Sequence, residues 1–239
     1  MWRQGTIQAG SVPDHITFVS LELSKMLNSV VQGDGMEYEL LREAAARVAR
    51  NRIPGLTCEI GVRMGLGSQI IMNLTQNPND PPVSDRCHIG IDPFGSIPYE
   101  DELDGFHDGG FNNNMKQASA AALYRKSHEN QWNFQFLFME DTEYFSRFAD
   151  GFPLYDDSGG PQKGFKRIVN KYSLVHFDGP HTVSHVLLEF DFFKTRMSTG
   201  GQLVFDDIKT YNHSVVHNKI LSENFSLVEA GDRKMVYVF

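Results

Sequence analysis

Two short stretches hold the residues best suited to chemistry, FDGPH at 177–181 and VFDD at 204–207. Asp178, Asp206 and Asp207 each end an apolar run, and one helix-length segment lies between the two runs. If those runs are neighbouring parallel strands, the three carboxylates converge. Converging carboxylates repel each other unless a cation lies between them. With oxygen donors only, a hard divalent ion such as Mg2+ is the natural occupant. His181, three residues past Asp178, then stands beside the ion as a proton acceptor, and Pro180 holds the turn that carries it. Each Asp taken singly has a plainer reading, as the N-cap of the helix that follows.

A second constellation precedes these. In CEIGVRMGLGS (58–68), Glu59 ends an apolar run, and Gly61, Gly65 and Gly67 follow before a helical stretch. Glycines allow a tight turn and close ligand approach, and the helix N-terminus behind them offers free N–H groups. The dinucleotide pattern G-x-G-x-x-G fails here. Arg63 stands where its second glycine belongs, and a frame begun at Gly65 meets Ile70. Asp92 in GIDPFG ends the next apolar run, where a carboxylate can accept hydrogen bonds from both hydroxyls of a ribose. Its alternative is a turn cap. Glu140 and Asp141 end a third run and could reach an adenine edge, while Asp141 could equally be an N-cap. The expected nucleoside-binding set is therefore Glu59, Gly61, Arg63, Gly65, Gly67, Ser68, Asp92, Glu140, Asp141 and Asp178. The alternative is a tight strand–helix turn with no ligand.

What must position these residues is an alternation of strands and helices. Helical periodicity covers 16–31 and 36–51, the latter with a stripe of Leu40, Leu41, Ala44, Ala45 and Val48. Strands are expected at LTCEIGV, 87–92, 134–139, 173–177 and 201–206, with helices near 67–75, 114–129, 141–149 and 182–197. Val183, Val186, Leu187, Phe190 and Met197 should share one side of the last helix. Residues 94–113 and 150–165 read as polar loops, the second with the glycines of a lid. FSLVEAGDRKMVYVF reads as a terminal hairpin turning at Gly231-Asp232. The sum is a doubly wound, mostly parallel α/β sheet with an antiparallel C-terminal hairpin and ligands at the carboxyl ends of its strands. Residues 1–52 form a helical extension or cap, and 53–239 the main domain. HSVVH (213–217) spaces two histidines at i and i+4, but with no third ligand nearby a solvated helix face is expected. Tyr211 and His213 lie close enough to the Asp pair to touch a substrate.

A formal charge of −8 over 239 residues leaves no basic surplus for a phosphate backbone, which argues against a nucleic-acid partner. No run is long enough for a membrane span, and no apolar leader precedes the first helix. Cys58 and Cys87 both open strand-like runs and are expected reduced and buried, as in a cytoplasmic protein. A small-molecule substrate, and possible self-association, are the expected partners.

The spacing E-x-G-x-x-x-G from Glu59 resembles the first motif of class I S-adenosylmethionine-dependent methyltransferases. Together with EIGVRMG, GIDPFG, the DGPH turn and GGQLVFDD, the chain resembles the macrocin O-methyltransferase-like group over residues 55–210 and the closing hairpin. Members of that group methylate sugar hydroxyls of macrolide and aminocoumarin antibiotics. The resemblance implies a seven-stranded Rossmann-like fold and S-adenosylmethionine as cofactor. It also implies Mg2+ held by Asp178, Asp206 and Asp207, with His181 as general base. Thr182–Ser184 and Ile208–Tyr211 depart from the aromatics usual after these motifs, a difference that bears on the acceptor. Mg2+-assisted O-methylation of a sugar or glycosylated metabolite is the activity expected. A phenolic acceptor, or a catalytically silent nucleotide-binding member of the fold, are the alternatives.

Overall fold

The computed structural model describes residues 35–239, apart from 78, 80–82, 84, 96–98, 104, 108–111 and 157–164. The helix expected over 16–31 and the tip of the 150–165 loop lie outside the described residues.

The central sheet has seven strands. In chain order they are β1 (Leu56–Ile60), β2 (His88–Ile91), β5 (Phe134–Leu137), β8 (Tyr172–Phe177), β9 (Met197–Phe205), β10 (Ser226–Ala230) and β11 (Met235–Val238). Their spatial order is β10-β11-β9-β8-β1-β2-β5. The pairs from β9 to β5 are parallel, whereas β11 runs antiparallel to both β9 and β10. The expected mostly parallel sheet and its terminal hairpin are both present. β1 and β8 are buried at every position, as strands covered on both faces must be, and this is why LTCEI and YSLVHF read as unbroken runs. β5, at the edge, alternates buried and exposed residues.

Helices α1 (Tyr38–Arg50), α2 (Leu66–Thr75), α3 (Asn113–Asn130), α4 (Asp141–Arg147), α5 (Val183–Lys194) and α6 (His213–Leu221) cover the sheet. α1 buries Leu41, Ala44, Ala45 and Val48 against Ile70 and Ile71 of α2, Leu174 of β8, Val204 of β9 and Val236 of β11. This stripe has the predicted i, i+3, i+4, i+7 spacing. The opposite face packs Val186, Phe190 and Phe193 of α5 and Val216 and Ile220 of α6 on Val175, Phe177, Leu203 and Phe205. α5 stops at Lys194, so Met197 belongs to β9 rather than to the helix stripe. Cys58 and Cys87 are buried free thiols, as expected.

Two stretches read as loops contain hairpins. β3 (Tyr99–Asp101) pairs with β4 (Gly105–His107) inside 94–113. β6 (Phe152–Asp156) pairs with β7 (Phe165–Val169) across the expected lid. Phe152, Leu154 and Val169 are buried in the main core, so the base of that segment is anchored. Gly- and Asp-rich composition masked the short apolar alternation of FPLY and FKRIV. No helix among the described residues is long and apolar enough to cross a membrane.

Candidate active site

Register decides which residues meet. Ile60 pairs with Phe177, and Phe177 with Phe205, so Gly61, Asp178 and Asp206 leave three adjacent strands at one level. The ladder runs one step further, with Gly61 N donating to Ile91 O (2.9 Å), Asp178 N to Ile60 O (3.0 Å) and Asp206 N to Phe177 O (2.9 Å). Gly61 has φ 82°, and a Cβ there would lie 1.8 Å from the Asp178 carbonyl oxygen. Only glycine lets these two strand tips approach so closely.

Past the tips, single donor atoms of Asp178, His181 and Asp207 lie within 4.8 Å of one another. His181 is buried, and its Nδ1 lies 3.2 Å from Oδ1 of Asp101 on β3. Its ring stacks on Tyr211, 6.0 Å between centroids and 2° between planes. Its Nε2 is buried with no hydrogen-bond partner. The segment carrying Asp101 is stapled in place by Glu102 N to His181 O (3.0 Å), Leu103 N to Thr210 O (2.8 Å) and Val183 N to Glu102 Oε2 (2.8 Å). Although Asp178 is only partly buried as a residue, its carboxyl group is enclosed. Burial, with the Asp206 carboxylate beside it, pushes that carboxyl well above the usual range. Asp207 sits at φ 46° and takes a 2.7 Å hydrogen bond from Arg233 Nε on Oδ1.

Asp206 does not join this cluster. Its Oδ1 accepts from Asp207 N (2.7 Å), and its Oδ2 pairs with Nζ of the fully buried Lys234. The Asp206 carboxylate stays beside Asp178, while the group whose donor atoms all lie within 4.8 Å of one another is made of two carboxylates and an imidazole. Asp206, two residues past Val204, points to the face of α1 and α2, where Lys234, two residues before Val236, pairs with it; Asp178, two residues past His176, leaves its strand toward the same face.

That face carries a continuous buried polar chain. His176 Nδ1 lies 2.8 Å from Glu59 Oε1, and its Nε2 lies 3.6 Å from Asp206 Oδ2. Ser68 Oγ donates to Glu59 Oε2 and lies 2.9 Å from His88 Nε2, and His88 Nδ1 meets Thr57 Oγ1 at 3.0 Å. Glu59 pairs with His176, and Thr57 with His88, in strand register. Burial works against the His176 cation, but the Asp206 and Glu59 carboxylates beside it outweigh that and hold its pKa up at about 9. Burial works against the Asp206 anion too, and His176 and Lys234 hold it well below the usual range. His88, buried and near His176, is pushed down to about 3 and stays neutral.

The expected nucleoside set divides accordingly. Glu59 and Ser68 belong to this buried chain. Gly67 is required because its Cβ would lie 1.8 Å from Glu59 Oε1. Gly65 caps α2 at φ 89° against Leu123. Arg63 takes φ 44°, and its N–H donates to Asp92 Oδ2 (2.8 Å), while Phe94 N donates to Oδ1 (2.9 Å), so the Asp92 carboxylate is oriented at the β2 tip. Beside it, a Cβ on Gly95 would meet no atom of the described residues within 4 Å. A carboxylate oriented at a strand tip suits a nucleoside's hydroxyl donors. Glu140 is exposed at the N-cap position of α4 without a capping bond. Asp141 is the first helical residue, and its Oδ2 lies 2.7 Å from His185 Nε2, so it is not the cap.

HSVVH does not form a solvated face. His213 is buried, its Nδ1 2.9 Å from Tyr211 Oη and its Nε2 3.0 Å from Tyr237 Oη, which His217 Nδ1 also meets at 2.9 Å. The α6 stripe that buries Val216 and Ile220 carries His213 inward with them. Burial, with His217 nearby, lowers His213 to about 4. Sequence reasoning missed Asp101, His176 and Lys234. A histidine inside the apolar run of β8 and a lysine entering β11 were legible signals, but neither names its partner.

The strand order, the antiparallel last strand and a glycine turn after β1 define a class I S-adenosylmethionine-dependent methyltransferase. The family model described as "Methyltransferase domain" matches residues 58–208, and the chain belongs to that family. No curated protein matches the sequence. Among solved structures, the calicheamicin methyltransferase CalS11 is similar at 15% identity and TM-score 0.53, with 100% of this chain and 99% of that one covered. The O-methyltransferase TomG from Streptomyces achromogenes, involved in tomaymycin synthesis and solved with S-adenosylmethionine, is similar at 13% identity and TM-score 0.52, covering 93% and 94%. An O-methyltransferase from Bacillus cereus, in complex with S-adenosylhomocysteine, is similar at 8% identity and TM-score 0.50, covering 98% and 93%. At these identities the likeness is one of fold.

Proposed function

We propose that the protein is an O-methyltransferase that acts on a hydroxyl of a small molecule, a sugar or glycosylated metabolite, with the help of a divalent cation, Mg2+ in the first instance. One observation carries this reading: Asp178 and Asp207 meet His181, whose Nε2 is buried and unpartnered, at the strand tips beside the glycine turn. The similar folds of calicheamicin methyltransferase and of TomG, an O-methyltransferase involved in tomaymycin synthesis, accord with this reading.

When bound, S-adenosylmethionine supplies an electrophilic methyl group, and a divalent cation lowers the pKa of a hydroxyl placed on it. Asp178 and Asp207 are the residues that would hold the cation, and Asp206 anchors the chain behind them through Lys234. Asp101 orients His181 by accepting from Nδ1, which leaves the Nε2 lone pair to take the acceptor's proton. The stack on Tyr211 fixes the ring plane, so Nε2 keeps one direction. Gly61, Arg63 and Asp92 line the cofactor side, with Asp92 placed to accept from ribose hydroxyls. The chemistry suits a cytoplasmic enzyme, where the cofactor is made.

The test is methyl transfer to panels of glycosides and phenols, with and without Mg2+, alongside calorimetric titration of the cofactor. His181→Ala should keep cofactor affinity and slow transfer by about 10²–10⁴-fold. A variant that turns over like the parent removes His181 as the base. Transfer that proceeds unchanged in a chelator removes the cation.

A further inference from the structure

A second group of metal-type donors lies on the α4–α5 face of the sheet and takes no part in the site above. Donor atoms of Asp141, His185 and Glu189 lie within 4.8 Å of one another. We propose that these three residues form a structural site for a second divalent cation of the zinc type, which ties α4 to α5 beneath the turn that carries Asp178.

Glu189 carries the argument. It is 1% exposed on the stripe of α5 that buries Val186, Phe190 and Phe193, a place where an apolar side chain is expected. Its Oε1 has no hydrogen-bond partner. A buried carboxylate oxygen left bare is costly, and the polar atoms within reach belong to Asp141, itself buried, and to His185. His185 Nε2 lies 2.7 Å from Asp141 Oδ2 and 4.0 Å from Glu189 Oε1. Nitrogen and oxygen ligands about 2.0–2.2 Å from a tetrahedral ion stand roughly 3.4 Å apart, so these separations bracket the need and side-chain shifts under about 1 Å close the site. His185 and Glu189 sit at i and i+4 on one helix face, and Asp141 comes across from the first turn of α4. The side chain of His185 is 26% exposed, which admits the ion and a water as fourth ligand.

With His185 as a ligand, one imidazole and two carboxylates favour zinc-type ions over Mg2+ or Ca2+, which take oxygen donors; at the strand tips only carboxylates hold the ion, because His181 serves there as the base. Two carboxylates also match the ion's charge. A Cβ on Gly179 would lie 3.2 Å from Glu189 Oε1, so an ion here sits directly under the Asp178–Pro180 turn.

The full chain, stripped of metal, is titrated with Co2+ and read by visible absorption, with thermal melting measured in parallel. One equivalent should give the intense bands of a four-coordinate centre, Zn2+ should abolish them by displacement, and either ion should raise Tm. The bands should survive Asp207→Asn and vanish in His185→Ala, a partly exposed position whose folding is checked by circular dichroism. Glu189→Gln should weaken the bands in the same way. Absence of the bands in the parent overturns the site, as does their persistence in His185→Ala. Loss of the bands in Asp207→Asn would assign the ion to the other cluster and equally overturn it.

Discussion

Lys234→Met tests the buried polar chain on which the catalytic face rests. Lys234 is fully buried, and its ammonium pairs with Asp206, itself 2% exposed. Methionine fills nearly the same volume, so the substitution removes the charge with little change in packing. Breaking a buried ion pair by removing one partner costs about 3–5 kcal/mol, because the remaining charge is left uncompensated. His176 Nε2, 3.6 Å from the same carboxylate oxygen, takes over part of that compensation, which places the expected loss near the lower figure, about 3 kcal/mol. For a chain of this size that corresponds to a fall in Tm of roughly 6–12 °C. Urea denaturation followed by circular dichroism measures it. The decisive comparison adds Asp206→Asn, which removes the stranded charge and should restore about half of the loss, the signature of coupled residues. A single-variant cost below about 1 kcal/mol, or strict additivity in the double variant, would refute the reasoning.

Gly61→Ala should be far more damaging than a surface Gly→Ala change. The position has φ 82° and its Cβ would meet the Asp178 carbonyl at 1.8 Å, so strain and a backbone clash together cost roughly 3 kcal/mol or more and displace the Asp178 turn. Near-parental stability by chemical denaturation would mean the two strand tips stand further apart. The buried histidines should weaken the fold in mild acid. His88 and His213 ionise at about 3 and about 4 when folded, against about 6.5 when unfolded. Below pH 6.5 the unfolded chain takes up protons that the folded chain refuses. Each histidine then removes up to about 1.4 kcal/mol per pH unit, down to its folded pKa. The buried Asp178 and Glu189 carboxyls, pushed well up by burial, act in the opposite sense, so the check is the comparison of parent and His213→Phe from pH 7 to 5: the variant should lose less stability on acidification, and identical profiles would place the His213 ring in contact with solvent. Asp101→Ala should spare cofactor binding but reduce the rate of transfer and shift its pH profile, because His181 loses the partner on Nδ1. An unchanged profile would show that Tyr211 alone orients the ring.

The alternation of apolar runs with amphipathic stretches was sufficient to read the sheet, its helices and the terminal hairpin. Burial on both faces of β1 and β8 and the stripe on α1 are properties of residue order alone. The glycine turn and the Asp- and His-bearing strand ends were legible for the same reason: a strand's carboxyl end follows from where its apolar run stops. Which side chains meet was not legible, because that depends on register and on parity between strands far apart in the chain. Register sets Glu59 beside His176 and Asp178 beside Asp206, parity turns Asp206 toward Lys234, and the turns past the strand tips bring His181 and Asp207 to Asp178. Asp101 reaches His181 from 80 residues away through a hairpin too short to show in composition. Sequence determined the layers and the positions of the strand tips; tertiary structure decided the partners, since a carboxylate's role is set by the charge that packing places next to it.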